Sequence, residues 1–506
     1  MTDSSSRRSG SVRPSLRDRM LSGSFYSLLA VVAGQGFALA TSIIYARLLG
    51  RDDLGVLAIY VQLGSVASAV ATLSLGTATA RYVAKLRAEN RAQLGRFVST
   101  VLVITILSAS LAAVLLFVVA GPLGESLYGS LDLVVMIRLS ALYLPLTALS
   151  ALGSAVLQGM QAIRKLAVLG VFLEALGVPV TYFSLVGFGL VGAAIGGVVT
   201  TGVSLFLVFG TAWRDLRRTG VTIGVSFHRD HAQDVLHYAA PLIVSSVVIR
   251  MALLYQSVFL VLSLGFGDAG LFKVASTLYR ILLFVPAAMS VPLLPLTSEL
   301  YATATTARAK ESLTTILRIT SFAGMCVALG VGLAASSLIL VLYGSDFVDA
   351  APLAFVLAIA GFVETIDTVS VNSALGEGRT RLLLKLDLLH AVIIVLTTTV
   401  FVSRFGLIGV GFAMLTTSGV HTTLLLVILS VTKRLNARRV APVQALAAAG
   451  FVLAASAVVF ADALHNFVLA ALIVASVIVA GLVLMEPGER QIMSSVLRNP
   501  LRTLRS

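Results

Sequence analysis

The sequence predicts an all-α membrane protein of about 14 transmembrane helices. They form two parallel six-helix repeats followed by two C-terminal helices, with both termini cytoplasmic. Three observations lead there. Hydrophobic residues make up 58% of the 506 residues and charged residues only 12%, about half the charge that covers a soluble surface. Apolar blocks recur along the chain at bilayer-crossing length, about 20 residues. The two halves also resemble each other at a fixed offset of 215 to 217 residues.

Taken in order, residues 1–20 form a polar tail carrying Arg7, Arg8, Arg13, Arg17 and Arg19. The apolar block behind it is too long for a signal-peptide core and reads as a span. Spans are expected at roughly 21–48, 54–80, 97–120, 133–158, 166–187, 190–212, 237–264, 271–297, 313–342, 350–374, 383–403, 407–431, 441–461 and 466–485. Spans 1–6 make an N-terminal bundle over 21–212. A cytoplasmic linker covers 213–236, and spans 7–12 make a C-terminal bundle over 237–431. Spans 13 and 14 occupy 441–485, and 486–506 is a second basic tail.

The formal charge of +14 would suggest nucleic acid in a soluble protein. Here it reports topology, and no nucleic-acid partner is expected. Of the 37 basic residues, 30 fall in alternate segments that include both tails. Four (Arg47, Arg51, Lys273, Arg404) fall on the other side, and three lie within spans. Basic residues are retained on the cytoplasmic side, so this asymmetry places both termini there. Trp213, the single Trp, falls at an inner boundary beside Arg214. Cys326 is the only cysteine, which excludes an intramolecular disulfide and a cysteine zinc site. No metal is expected.

The repeat is carried by short stretches. "LLGRDDLG" at 48–55 matches "SLGFGDAG" at 263–270, aligning Gly50 with Gly265, Asp53 with Asp268 and Gly55 with Gly270. "FGLVG" at 188–192 matches "FGLIG" at 405–409. The offset contains six spans, an even number, so both halves insert the same way up. That is the parallel repeat found in alternating-access transporters.

The opening spans, "IIYARLLGRDDLGVLAIYVQL…LSLGTATARYVA" over 43–84, resemble those of Wzx-type polysaccharide-biosynthesis oligosaccharide flippases. The match rests on Arg47, Leu49, Gly50 and Gly55. That family shares the multidrug/oligosaccharidyl-lipid/polysaccharide exporter (MOP) superfamily with the lipid II flippase MurJ and the MATE antiporters. The resemblance implies a multi-pass protein of the cytoplasmic membrane. Its partners would be a polyprenyl-linked oligosaccharide, membrane lipids, and glycan polymerase or ligase machinery.

Charges inside spans are costly and mark function by default. Arg250 on span 7 and Arg280 on span 8 fall near the midplane at about 1.5 Å per residue. Guanidinium forks suit a diphosphate, so both are candidate substrate contacts; partnership with internal carboxylates is the other reading. The family's cationic lumen adds Arg47, which also reads as an interfacial arginine. Arg138 is a further candidate and equally suits snorkelling outwards. Glu364 and Asp367 share a face of span 10, as do Asp387 and His390 on span 11, and Glu174 lies two turns into span 5. These could carry a coupling ion, H+ or Na+, or could neutralise the arginines. No other cofactor is expected. Pro286, Pro292 and Pro295 on span 8 require kinks and are candidate hinges.

Other motifs fail on context. "GFGLVG" at 187–192 lies in a membrane turn without a βαβ unit. The histidines of "HRDHAQDVLH" at 228–237 suit a connecting helix. No lysine follows a glycine, so there is no Walker A loop. The expected function is a non-enzymatic flippase of a polyprenyl-(di)phosphate-linked oligosaccharide. A MATE-type multidrug antiporter using Glu364 and Asp367 is one alternative. A polytopic glycan polymerase or ligase is another, although the longest outer gap, 121–132, is short for one.

Overall fold

The computed structural model describes residues 16–89, 91–127, 129–221, 226–282, 306–377, 379–432, 434–460 and 475–487, with Gly224 and Glu489. Among the described residues every regular element is helical, and nine helical stretches are long and apolar enough to cross a membrane. The chain is a multi-pass membrane protein. Two stretches are far longer than one crossing requires. Leu16–Thr72 has 57 residues and Thr380–Val431 has 52, about 80 Å of helix against a hydrocarbon core of about 30 Å. Each is broken at one glycine, Gly50 (φ 76°) and Gly406 (φ 57°). A side chain at such a φ costs about 1–2 kcal/mol, and glycine allows the chain to leave the helix there.

Spans keep the numbers expected from sequence. Gly265, the repeat partner of Gly50, has φ 90° and ψ 175°, against 76° and −172° at Gly50. Gly189 and Gly406 also agree, at φ 55°, ψ −139° and φ 57°, ψ −136°. A methyl group on Gly192 would overlap the carbonyl oxygen of Ser184, and one on Gly409 that of Phe401. Both the glycines and the overlapped residues are 217 apart. Span 5 meets span 1 where Glu174 lies against Gly34, as span 11 meets span 7 through Thr398 and Thr399. The weak sequence repeat is therefore a repeat of backbone geometry.

The halves also meet reciprocally. A methyl on Gly55 would overlap the carbonyl oxygen of Phe266, and one on Gly270 that of Arg51. Around this seam Arg51 pairs with Asp268 at 2.8 Å, and Ser42 bonds Thr277 at 3.1 Å and Tyr343 at 3.3 Å. One apolar cluster runs across the seam, joining Leu54, Ile59 and Ile137 of the first half to Leu260, Leu271 and Leu353 of the second. At the opposite end of the helices the core divides. One cluster holds Leu86, Phe97 and Leu157 with the start of span 7. The other holds Leu317, Phe362 and Leu429.

The helix Arg229–Leu264, which contains span 7 and the end of the expected linker, is shared between the halves. Its first turns pack on the first half. Arg81 lies over the Tyr238 ring at 4.9 Å, and His231 meets Phe97 edge-on. Its middle packs on span 11, with Tyr255 bonded to Thr399 at 2.7 Å and Gln256 to Thr398 at 3.2 Å. The helix Ala437–Phe460 belongs to the second half, where Phe451 packs on Phe362. Beside it Arg318 lies 2.9 Å from Glu489 and donates to the backbone oxygens of Arg439 and Leu484.

Candidate substrate and ion site

Two groups of charged side chains lie within the spans. The first is acidic. Glu364 and Asp367 share a face of span 10, as their spacing requires, and that face meets span 12. Ser418 donates to Glu364 at 3.2 Å and Thr422 to Asp367 at 3.2 Å. His421 Nδ1 lies 2.8 Å from the same Asp367 oxygen. From span 11, Asp387 accepts a hydrogen bond from Ser245 of span 7 and approaches His421 Nε2 to 4.0 Å. The His390 ring packs edge-on against His421, with centroids 5.0 Å apart. Spans 10 and 11 thus converge on His421 of span 12, which is 5% exposed, and span 7 joins them through Asp387. Sequence reasoning paired acids along single helices and passed over this histidine, whose partners all come from other spans. The usable signal was a lone ionisable residue in an apolar run.

The second group is basic. Arg250 points from span 7 across to the first half, donating to Ser65 Oγ at 2.5 Å. Arg280 is exposed on span 8. Lys273, assigned from sequence to the outer side, lies inside the helix Phe266–Leu282, two turns before Arg280. A helix repeats its face after seven residues, and the two charges are close enough to repel each other. Lys273 therefore belongs with the arginines rather than with a loop. Among the described residues, Arg250, Arg280 and Lys273 form no ion pair. The carboxylates of the second half, Glu364, Asp367 and Asp387, are held by hydroxyls and by His421.

The remaining candidates lie elsewhere. Arg47 donates to the carbonyls of Val341 and Leu342 at 2.7 and 2.9 Å. It thereby caps the helix Ala335–Leu342, a favourable place for a cation. Arg138 lies over the ring of Phe117, itself exposed, at 5.7 Å. Glu174 stands on span 5 against Gly34 of span 1, away from the acidic group of the second half. Pro286, Pro292 and Pro295 lie outside the described residues.

A family model described as polysaccharide biosynthesis protein matches residues 44–352. No curated protein matches the sequence. Solved structures do match. The lipid II flippase MurJ, in an inward closed conformation, superimposes with TM-score 0.68 at 14% identity, covering 95% of this chain and 99% of that one. An inward-facing multidrug resistance MATE family transporter of the MOP superfamily gives 0.67 at 15% identity, covering 83% and 99%. A MOP superfamily transporter from Pyrococcus furiosus, described as having a binding pocket of reverse polarity, gives 0.61 at 17%, covering 83% and 99%. The shared property is the fold.

Proposed function

This chain belongs to the polysaccharide biosynthesis protein family, and we propose that it is a flippase. It would translocate a polyprenyl-(di)phosphate-linked oligosaccharide across the cytoplasmic membrane by alternating access. The observation that carries this reading is the set of uncompensated cations, Arg250, Arg280 and Lys273, on the two helices that contact the first half. An anionic diphosphate is the complement of such a set, and arginine binds it through paired N–H donors. The head group would enter between the halves while the lipid tail stays in the bilayer. The united core would be the outer end, closed, and the divided core the inner end, open towards the cytoplasm. A coupling ion, H+ or Na+, would be carried by the acidic group. The exported lipid-linked glycan would then be available to a polymerase or ligase.

The MATE-type reading fits less well. A cationic drug needs accessible carboxylates, and here Glu364, Asp367 and Asp387 are occupied by partners of their own, which leaves Glu174 of span 5 as an exposed carboxylate within a span. The flippase comparison also spans 95% of the chain against 83% for the antiporter, and the additional length suits helices 13 and 14. A polymerase or ligase would need an acceptor-binding loop that the short outer gaps do not provide.

Ligand-induced stabilisation of the purified protein tests the assignment. A polyprenyl-diphosphate sugar at a hundredfold excess over its Kd should stabilise the wild type by about 2.7 kcal/mol. Losing one charge-assisted hydrogen-bonding group in Arg250→Ala or Arg280→Ala should weaken binding by about 1.5–3 kcal/mol. Equal stabilisation of all three proteins would reject the cation assignment. Stabilisation by a cationic dye instead of the lipid would favour the antiporter.

A further inference from the structure

We propose that His421 is a proton-binding site, and that the proton it takes up or releases is the coupling ion of the transport cycle. The proposal rests on the flippase reading for its consequence but on local geometry for the site. His421 Nδ1 is engaged with Asp367 at 2.8 Å. Its Nε2 is buried and has no hydrogen-bond partner. A buried polar atom left unpaired costs about 1–3 kcal/mol, so this nitrogen is poised for a second arrangement. The acceptor for it is in place, since Asp387 Oδ1 stands 4.0 Å away, one small rotation beyond hydrogen-bond distance. A neutral imidazole donates through only one nitrogen, whereas the imidazolium donates through both. Protonation therefore converts Nε2 into a donor aimed at Asp387 and bridges two carboxylates on different spans.

Titratable groups from three other spans surround the ring. Glu364 and Asp367 face it from span 10, Asp387 and His390 from span 11. Tyr279 of span 8 lies within electrostatic reach of both span 10 acids. A sodium ion is a poorer occupant. Hard cations are held by sets of oxygens, and the Asp367 oxygen at the centre already accepts from His421 and Thr422. The geometry also supplies the link to substrate. Asp387 holds Ser245 of span 7, and Arg250 lies five residues further along that helix, in contact with Ser65 of the opposite half. A bond formed between His421 and Asp387 thus acts on the helix that carries a substrate cation and bridges the halves. A ligand shifts a conformational equilibrium only through such a differential contact.

The test uses the full chain in liposomes with a fluorescent polyprenyl-diphosphate sugar. Its distribution between leaflets is read under an imposed pH gradient and, separately, a sodium gradient. One proton exchanged per lipid lets a one-unit pH gradient hold a roughly tenfold leaflet ratio. The wild type should reach that ratio with the pH gradient and not with sodium, and His421→Gln should stay at a ratio near one under both. A wild-type response in His421→Gln, or a wild type driven by sodium, would overturn the proposal and leave the flippase reading standing. If the wild type moves no lipid, the flippase reading falls and the site is judged separately. Histidine C2 hydrogen–deuterium exchange should then show His421 titrating with a midpoint displaced in Asp387→Asn. The same exchange decides the case if His421→Gln fails to fold. A His421 that does not titrate, or whose midpoint ignores Asp387, would overturn the proposal.

Discussion

The reciprocal glycine seam gives the sharpest mechanical expectation. In Gly270→Ala the new methyl would overlap the carbonyl oxygen of Arg51. Restoring an ordinary contact of about 3.5 Å requires the two backbones to part by roughly 1.5 Å. Both partners are backbone, so no side chain can swing away to absorb the overlap. Overpacking of this kind costs about 1–3 kcal/mol, and it falls only on the state in which the seam is shut. A penalty of that size moves the closed-to-open ratio about 5- to 150-fold. The readout is alkylation of Ser42→Cys in a Cys326→Ser background by an impermeant maleimide added outside. Ser42 lies in the seam against Thr277 and Tyr343, so its reactivity follows opening. Gly270→Ala should raise the labelling rate by a factor in that range, and Gly55→Ala should act alike because its methyl meets Phe266 in the same way. An unchanged rate in two well-folded variants would refute the idea that this seam is the outer closure.

Three further outcomes follow from the geometry. Arg318→Met leaves Glu489, 3% exposed, without its cation, and should destabilise the purified protein by about 3–5 kcal/mol in thermal denaturation. Arg318→Met combined with Glu489→Leu should recover most of that loss, because no buried charge remains. Gly406→Ala places a methyl at φ 57° and should lower stability by about 1–2 kcal/mol; a neutral result would mean that the turn relaxes freely. Lys273→Ala should weaken binding of a polyprenyl-diphosphate sugar tenfold or more if it acts as a charge-assisted contact of about 1.5–3 kcal/mol. Wild-type affinity would return Lys273 to a structural role.

The legible part of this protein was its one-dimensional signal. Composition and apolar block length led to a helical membrane protein. Four glycines, Gly50, Gly265, Gly189 and Gly406, marked turns whose backbone requires a positive φ, and this is why so faint a repeat survived in sequence. What the sequence hid was lateral. Span-by-span depth counting put Lys273 outside because it stands near a predicted boundary, yet the helix begins at Phe266. Arg47, a candidate both for the family's cationic lumen and for an interfacial role, caps a helix end almost 300 positions away, a contact that leaves no local pattern. His421 was missed because its partners lie on spans 10 and 11. The acids recognised by helical spacing, Glu364 with Asp367, do share a face, while Glu174 stands apart on span 5.

The central claim is that the uncompensated cations of spans 7 and 8 serve a lipid-linked diphosphate. The most direct measurement is transbilayer movement of a fluorescent polyprenyl-diphosphate sugar in liposomes, read by accessibility to an external quencher. The account predicts protein-dependent movement by the wild type that is lost in Arg250→Ala and Arg280→Ala, with both variants inserted and folded. Movement at the wild-type rate in both variants would contradict it.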